Sequence, residues 1–492
     1  MTRRIIGLLL ALPLLMACEK KVVYVVPELT CDLTDAVLPD HAGATAEFTV
    51  KASGKWTLST ESADYTVTPT QGKKGETRVT VKALDTNEEA RLRGLGTITV
   101  RLKADGREKH IGVFQQPEAS EQMLLMYFPW SDNLTSYFER NVQDMEEALA
   151  QGILQAERVL VLFMDTSTTA SLFELCAEDG ETKRVLHKRY DPIHDFTTPQ
   201  GIATILEDAR LRAPAERYAL TVSCHGMSWI PAARNQGRTF YGMHREKEHW
   251  EYDNPNGPVT RWFGGATHQT DIEDLAAGIA QAGMKMEYIL LDDCYMASVE
   301  VAYALRHAAE RLIASPTEVM GYGFPYAEIG RYMVGQVDYA GICRGFYDFY
   351  MAYEYPYGTI SVTECAELEA LAEVMRRINE RYTFDPTDAN LAALQRMDGY
   401  TPVRFYDLGD YVRHLCQDDP ALLSEFETQL ERTVPNAGRY HTPEFCSTVT
   451  GVLVPYSIAF YTGMTISDPS ISPVTVAAKQ ETLWWQATHS AE

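Results

Sequence analysis

The segment Met286-Glu-Tyr-Ile-Leu-Leu-Asp-Asp-Cys294 is an apolar run that closes on two carboxylates and a thiol. Upstream, Arg217-Tyr-Ala-Leu-Thr-Val-Ser-Cys-His225 closes in the same way on an imidazole, with Gly226 after it. A thiol attacks a carbonyl as its thiolate. It needs a base to take the proton and N–H donors to hold the oxyanion that forms. Cys294 and His225 supply the first two, and the amides of Gly226 and Cys294 are the candidate donors. Either side chain alone reads better as a buried thiol or a core histidine. At the ends of two apolar strands they read together as nucleophile and base.

The elements that must position them follow from periodicity. Beyond Cys294, the apolar spacing of Met296, Val299, Val301, Ala302 and Leu305 predicts a helix. Cys294 is therefore expected at a helix N-terminus, where the macrodipole favours a thiolate. Cys224 alternates onto the opposite face from His225 and reads as structural, whereas Asp292 shares the face of Cys294.

Further strands are predicted at 122–128 and 158–165, an edge hairpin at 170–175 with 184–187, and another strand at 311–315. Helices are predicted at 136–155, 201–212 and 271–282. Strand-helix alternation implies a mostly parallel sheet with helices on both faces. From about residue 340 the chain reads as mostly helical, ending in a strand-like Thr448-Val-Thr-Gly-Val-Leu-Val-Pro455. Residues 231–270 are polar, rich in Gly, Asn and Trp, and long for a loop, as functional loops often are.

The N-terminal portion is organised differently. Arg3-Arg4, the apolar Ile5 to Met16 and then Ala17-Cys18 form a signal peptide too short to span comfortably. Leu15-Met-Ala-Cys18 resembles a bacterial lipobox, so residues 1–18 are expected to be the leader and Cys18 the lipidated anchor to the membrane. Residues 19–30 read as a tether. From 31 to 117, short alternating strands such as 46–52, 78–82, 96–102 and 110–115, with turn signals at Gly72 and Asp105-Gly106, predict a small β-sandwich. Trp56 lies within an alternating strand and reads as core.

Several motifs in order resemble one family. Ser223-Cys-His-Gly-Met-Ser-Trp229 is similar to the His-Gly-x-x-Trp motif of clostripain-type cysteine peptidases. Leu291-Asp-Asp-Cys-Tyr-Met-Ala-Ser-Val-Glu300 is similar to their Asp-Ala-Cys-(Leu/Phe)-Met-x-x-x-x-Glu block. Ile313 to Val319, Gly321 to Tyr326, Phe405 to Tyr411 and Gly451 to Pro455 extend the likeness, and the expected peptidase domain is 122–492. The resemblance implies a caspase-like α/β fold, a Cys294/His225 dyad and endopeptidase cleavage after Arg or Lys.

It also implies that Asp292, matching the family's acidic residue two before the cysteine, lines the pocket for a basic side chain, with Glu318 a second candidate. A partly shielded carboxylate favours a bidentate Arg, although a strand-end charge or helix cap is the plainer alternative. Asp293 departs from the small residue usual there, and its charge would tend to raise the thiol pKa. Family members are often cut just beyond the histidine; here Arg234 and Arg238 are the candidate processing sites. Trp56, Pro69, Asn87 to Arg91 and Val113 to Gln116 resemble a BACON domain, which implies a spacer or a carbohydrate-binding module.

Composition bounds the partners. The chain has 492 residues, enough for two or three domains, and a formal charge of −24, which argues against nucleic acid. The nine cysteines, counting Cys18, show no zinc or disulfide spacing, and no histidine pattern or calcium loop is evident. No cofactor is expected, although some clostripain relatives depend on calcium. The expected location is extracytoplasmic, and the expected substrate is a peptide or protein with basic residues. The competing reading is a binding or adhesion lipoprotein whose peptidase domain is degenerate; retention of both Cys294 and His225 argues for the enzyme.

Overall fold

A computed structural model describes residues 28–131, 134–178, 180–232, 268–353 and 356–489. The chain divides into two compact units: residues 28–87 with 93–115, and residues 88–92 with 116 onward. Cys18, Arg234 and Arg238 lie outside the described residues.

The first unit is all β. One sheet orders Leu29–Cys31, Thr45–Ala52, Gly75–Ala83 and Tyr65–Thr68. The other orders Asp35–Leu38, Glu108–Gln115, Arg93–Leu102, Trp56–Thr60 and Gln71–Gly72. Alternation puts Phe48, Val50, Val79, Val81, Ile98, Val100, Ile111 and Val113 into one core. Trp56 is fully buried there, as its strand position predicts, and the Gly72 backbone packs directly on its indole. The first strand begins at Leu29, so part of the expected tether is already sheet.

The second unit is built on a nine-stranded mixed sheet. Its order is Glu181–Tyr190, Ala170–Glu178, Glu157–Met164, Ser120–Phe128, Ala215–Ser223, Met286–Asp292, Ala309–Ala314, Thr359–Glu364 and Arg439–His441. The run from Glu157–Met164 to Ala309–Ala314 is parallel, and the strands outside it are antiparallel. The central strands are apolar almost throughout because helices cover both of their faces. Thr135–Ala150, Tyr326–Met333 and Tyr339–Met351 pack together as one group. Pro199–Arg212, Ile272–Gln281 and Val299–Leu305 form another.

The C-terminal third carries the expected helices, Leu368–Asn379, Leu408–Leu415 and Pro420–Thr433 among them, but it also contributes strands. Thr359–Glu364 and Arg439–His441 extend the main sheet, and Glu444–Ser447 pairs with Val454–Ser457 as a hairpin. The apolar residues at 448–455 thus bracket a turn, with Gly451 at φ 84 supplying a left-handed conformation costly for other residues.

The helix after Cys294 starts later than its apolar spacing suggests. It spans Val299–Leu305, capped by the Ser298 hydroxyl, which accepts from the Val301 amide. Before it, Tyr295 sits at φ 63, and the amides of Tyr295 and Ala297 donate to the Thr317 and Ser315 carbonyls. Residues 294–298 therefore run along the 315–317 segment rather than turning straight into helix. The macrodipole of Val299–Leu305 does not act directly on the thiol, because its field is confined to the first turn.

Register decides which residues meet. Ala219–Ser223 pairs in parallel with Tyr288–Asp292, ending at Ser223 opposite Asp292. His225 and Cys294 each follow two residues beyond that last pair. Gly226 then lies so close to the Cys294 main chain that a Cβ there would sit 2.5 Å from the Cys294 carbonyl oxygen and 2.7 Å from its nitrogen. Backbone cannot retreat as a flexible side chain can, so Gly226→Ala should lower stability by about 1–3 kcal/mol. Urea unfolding checks this: the midpoint is expected to fall with an unchanged slope, and an unaltered midpoint would remove the close approach from the account.

Candidate active site

Cys294 is 1 % and His225 8 % exposed, both at the carboxyl end of the central parallel strands. The Cys294 Sγ lies against the Val319 backbone, 3.3 Å from its nitrogen and 3.5 Å from its carbonyl oxygen. An N–H directed at sulfur favours the thiolate, and the adjoining carbonyl can accept from the thiol form.

Four hydrogen bonds tie the histidine segment to the cysteine segment and its surroundings, one of them from the Tyr400 hydroxyl to the Met227 sulfur at 3.3 Å. The Asp293 Oδ1 accepts from the Cys224 amide at 2.7 Å. The hydroxyls of Ser228 and Ser298 share a 2.7 Å hydrogen bond. The Trp229 indole Nε1–H donates to the Ser467 hydroxyl at 3.0 Å. Ser228 adopts φ 57, an uncommon conformation for a serine, which its bond to Ser298 helps to hold. Asp293, the residue at odds with the family pattern, is fully buried as the acceptor that joins the two strand ends.

Asp292 is fully buried. Its Oδ2 accepts from the Ser223 and Tyr326 hydroxyls, each at 3.2 Å, and these hydroxyls contact one another at 3.2 Å. Hydroxyl donors can stabilise a carboxylate in a low-dielectric place without neutralising it. Glu318 is also buried, but both of its oxygens are engaged. Oε1 accepts from the Tyr295 hydroxyl at 2.7 Å and from the Ser447 hydroxyl. Oε2 accepts from the Thr448 amide at 3.0 Å and its hydroxyl at 3.1 Å. Burial pushes the Glu318 carboxyl up while these donors pull it down. Glu318, the residue before Val319, thus links the residue after Cys294 to Ser447 and Thr448.

Cys224 is fully buried, and its amide donates to Asp293. The parts that sequence reading missed are the polar partners: Tyr326 and Ser223 at Asp292, Ser298 at Ser228, and Ser467 at Trp229. Tyr326 and Ser298 lie inside stretches already singled out, but only the folded chain pairs them. Ser467 carries no sequence signal. The oxyanion donors proposed from sequence, the Gly226 and Cys294 amides, belong to the two backbone segments that Gly226 brings into contact. Among the described residues, no group of three His, Cys, Asp or Glu side chains is arranged to hold a metal, and no helix is long and apolar enough to cross a membrane.

The comparisons with known proteins agree with this geometry. The sequence model described as the clostripain family, Peptidase C11, matches residues 126–418. Among solved structures, the chain is similar to a secreted C11 cysteine protease from Bacteroides thetaiotaomicron, called iotapain. That likeness has 48% identity and a TM-score of 0.68, and covers 76% of this chain and 100% of that one. An inactive zymogen C11 protease from Parabacteroides distasonis is 25% identical with a TM-score of 0.64, over 76% of this chain and 99% of that one. A second secreted C11 cysteine protease from Bacteroides thetaiotaomicron, in complex with an irreversible peptide inhibitor, shares the fold at 20% identity and a TM-score of 0.61, over 75% of this chain and 98% of that one. Among curated proteins no match is found. With the family match spanning the two strand ends and the segments that enclose them, the chain belongs to the clostripain family and is a cysteine peptidase.

Proposed function

We propose that this peptidase cleaves polypeptides after Arg or Lys through a Cys294/His225 dyad. The observation that carries the reading is the parallel pairing of Ser223 with Asp292, which leads both chains directly into His225 and Cys294, with Gly226 against the Cys294 backbone. In the first step His225 takes the thiol proton and Sγ bonds to the scissile carbonyl carbon, whose oxygen becomes an oxyanion held by the Gly226 and Cys294 amides. The C–N bond then breaks, the amine leaves with the proton from His225, and a thioester remains. Water, deprotonated by His225, attacks the thioester. The acid is released and the thiol takes back its proton.

Selectivity for a basic side chain is assigned to Asp292 in preference to Glu318. Both oxygens of Glu318 take donors from Tyr295, Ser447 and Thr448, whereas Asp292 lies two residues before Cys294 in strand register with it. A substrate guanidinium or ammonium reaching this carboxylate would form a charge-assisted hydrogen bond that a neutral side chain cannot.

The remaining parts of the proposal concern place and control. Iotapain and the second, inhibitor-bound C11 protease are each described as secreted. Secretion fits the leader at residues 1–18, lipidation at Cys18 and an extracytoplasmic location for this chain. The β-rich unit would then act as a spacer between membrane and peptidase, with carbohydrate binding as its second reading. Cleavage at Arg234 or Arg238 would release a loop segment able to occupy the site in cis. The Parabacteroides relative described as an inactive zymogen is a precedent for latency in the family. Calcium is not assigned a site.

Cys294→Ala and His225→Ala are each expected to lower kcat/KM on basic reporter peptides by at least about 10⁴-fold without unfolding, because nucleophile and base act as a unit. Cys224→Ala is expected to keep most activity, and substantial turnover by Cys294→Ala would remove the dyad. Asp292→Asn should erode the preference for Arg and Lys reporters by at least roughly 10-fold; an unchanged ratio of basic to neutral cleavage would assign selectivity elsewhere. For processing, mass spectrometry of the active enzyme should find chains cut after Arg234 or Arg238. An intact, fully active chain, or wild-type kinetics in the Arg234→Ala/Arg238→Ala double variant, would contradict that switch.

A further inference from the structure

The helix that follows the cysteine segment carries a carboxyl group for which the reaction itself has no use. Glu300, in the first turn of Val299–Leu305, is 2 % exposed. Its Oε1 accepts from the Ser467 amide at 2.8 Å. The hydroxyl of the same Ser467 accepts the indole N–H of Trp229 at 3.0 Å. A continuous path therefore runs from the helix behind Cys294, through Ser467, to the segment that carries His225. Ser467 is distant in sequence from both ends and contributes no group to the proposed chemistry. The bond from its amide to Glu300 helps to hold it beside Trp229.

We infer that Glu300 is a positioning residue for His225, acting through Ser467 and Trp229 to hold the imidazole segment in register with Cys294. The inference rests on the Cys294/His225 reading given above. Two of the cross-links are local to the strand ends and the helix cap: Asp293 to Cys224, and Ser228 to Ser298. The Trp229–Ser467–Glu300 path reaches beyond them to a distant part of the chain, as does the hydrogen bond from the Tyr400 hydroxyl to the Met227 sulfur at 3.3 Å. Without that path, Trp229 loses its tie to Ser467 and Glu300 next to Ser228, whose left-handed φ of 57 is already costly. A shift of about 1 Å at an imidazole that must reach the thiol costs on the order of 10²-fold in rate.

The chemistry of the side chain suits that role. Burial pushes the Glu300 carboxyl up to about 8, with the charge of Asp468 adding to the rise. Asp468 is itself raised to about 7 by burial, with Lys479 opposing. Near neutral pH Glu300 is therefore an acid with one carbonyl-type acceptor, for which glutamine is a close neutral isostere. Its Oε2 has no hydrogen-bond partner among the described residues, so an amide nitrogen there displaces no bond. The acceptor toward Ser467, rather than the charge, is what the positioning requires.

Steady-state kinetics on an Arg reporter, together with the pH dependence of iodoacetamide alkylation followed on the Cys294 peptide, tests the inference. Glu300→Ala should lower kcat about 10²-fold with little change in KM, and Glu300→Gln should restore most of it. Trp229→Phe and Ser467→Ala, which remove one bond each, should lower kcat in the same direction, and their double variant should be no worse than the poorer single one. Glu300→Ala should also move the alkylation profile of Cys294 to higher pH, as His225→Ala does, because a displaced imidazole no longer stabilises the thiolate. If His225→Ala shifts that profile but Glu300→Ala, Trp229→Phe and Ser467→Ala all leave it at the wild-type position, the positioning role is overturned while the dyad stands. If His225→Ala leaves it unmoved as well, the dyad and this inference fall together. Should Glu300→Ala not fold, the two single-bond variants carry the same decision.

Discussion

The active end of this molecule depends on one alignment: the parallel pairing that sets Ser223 opposite Asp292. Side chains along a strand alternate, so a slip of one residue would turn His225 or Cys294 to the other face of the sheet. The alignment is secured from both directions. Along the strands, Leu220, Val222, Ile289 and Leu291 are fully or almost fully buried. Beyond them, the Asp293 carboxylate takes the Cys224 amide, and Gly226 closes against the Cys294 backbone where no side chain would fit. Apolar burial supplies most of the stability of such a pairing, and the polar contacts give it a unique register.

Around this alignment the protein buries several carboxyl groups, each provided with hydroxyl or amide donors. Removing a carboxylate from water is costly unless hydrogen bonds replace what is lost. Asp292 has Ser223 and Tyr326; Glu318 has Tyr295, Ser447 and Thr448; Glu300 has Ser467. The donors come from segments far apart in sequence, so each carboxyl also serves as a node where distant loops are joined. Val319, whose amide faces the Cys294 sulfur, directly follows one such node. A cysteine peptidase needs its thiol, imidazole and oxyanion donors held before substrate arrives, and preorganisation of this kind supplies that.

Much of the frame was legible in the chain itself. The five parallel strands are near-continuous apolar runs of strand length, and fully covered strands read that way. The edge hairpin at Ala170–Glu178 and Glu181–Tyr190, and the burial of Trp56, followed from alternation. Thr359–Glu364 and Arg439–His441 were not legible. They are short, the second is polar, and both acquire strand character from pairing with residues remote in sequence. The helix behind Cys294 was read too early because Met296 extends its apolar spacing, whereas Ser298 as a cap marks the true start. Cys294, His225 and Asp292 were found from their places at strand ends. Tyr326 and Ser467 were not, because a lone hydroxyl or aromatic residue carries no periodic signal and gains meaning only from its partner.

The central claim is that Cys294 is the nucleophile and His225 the base that activates it. Labelling with a peptidyl-arginine acyloxymethyl ketone, followed by peptide mapping, tests it most directly. Such a reagent forms a stable thioether with a thiol only where the thiol is activated and the arginine is bound beside it. The account predicts one adduct per chain, on Cys294, with labelling slowed by several orders of magnitude in His225→Ala. An adduct on Cys224 or another cysteine, or equal labelling rates with and without His225, would contradict it.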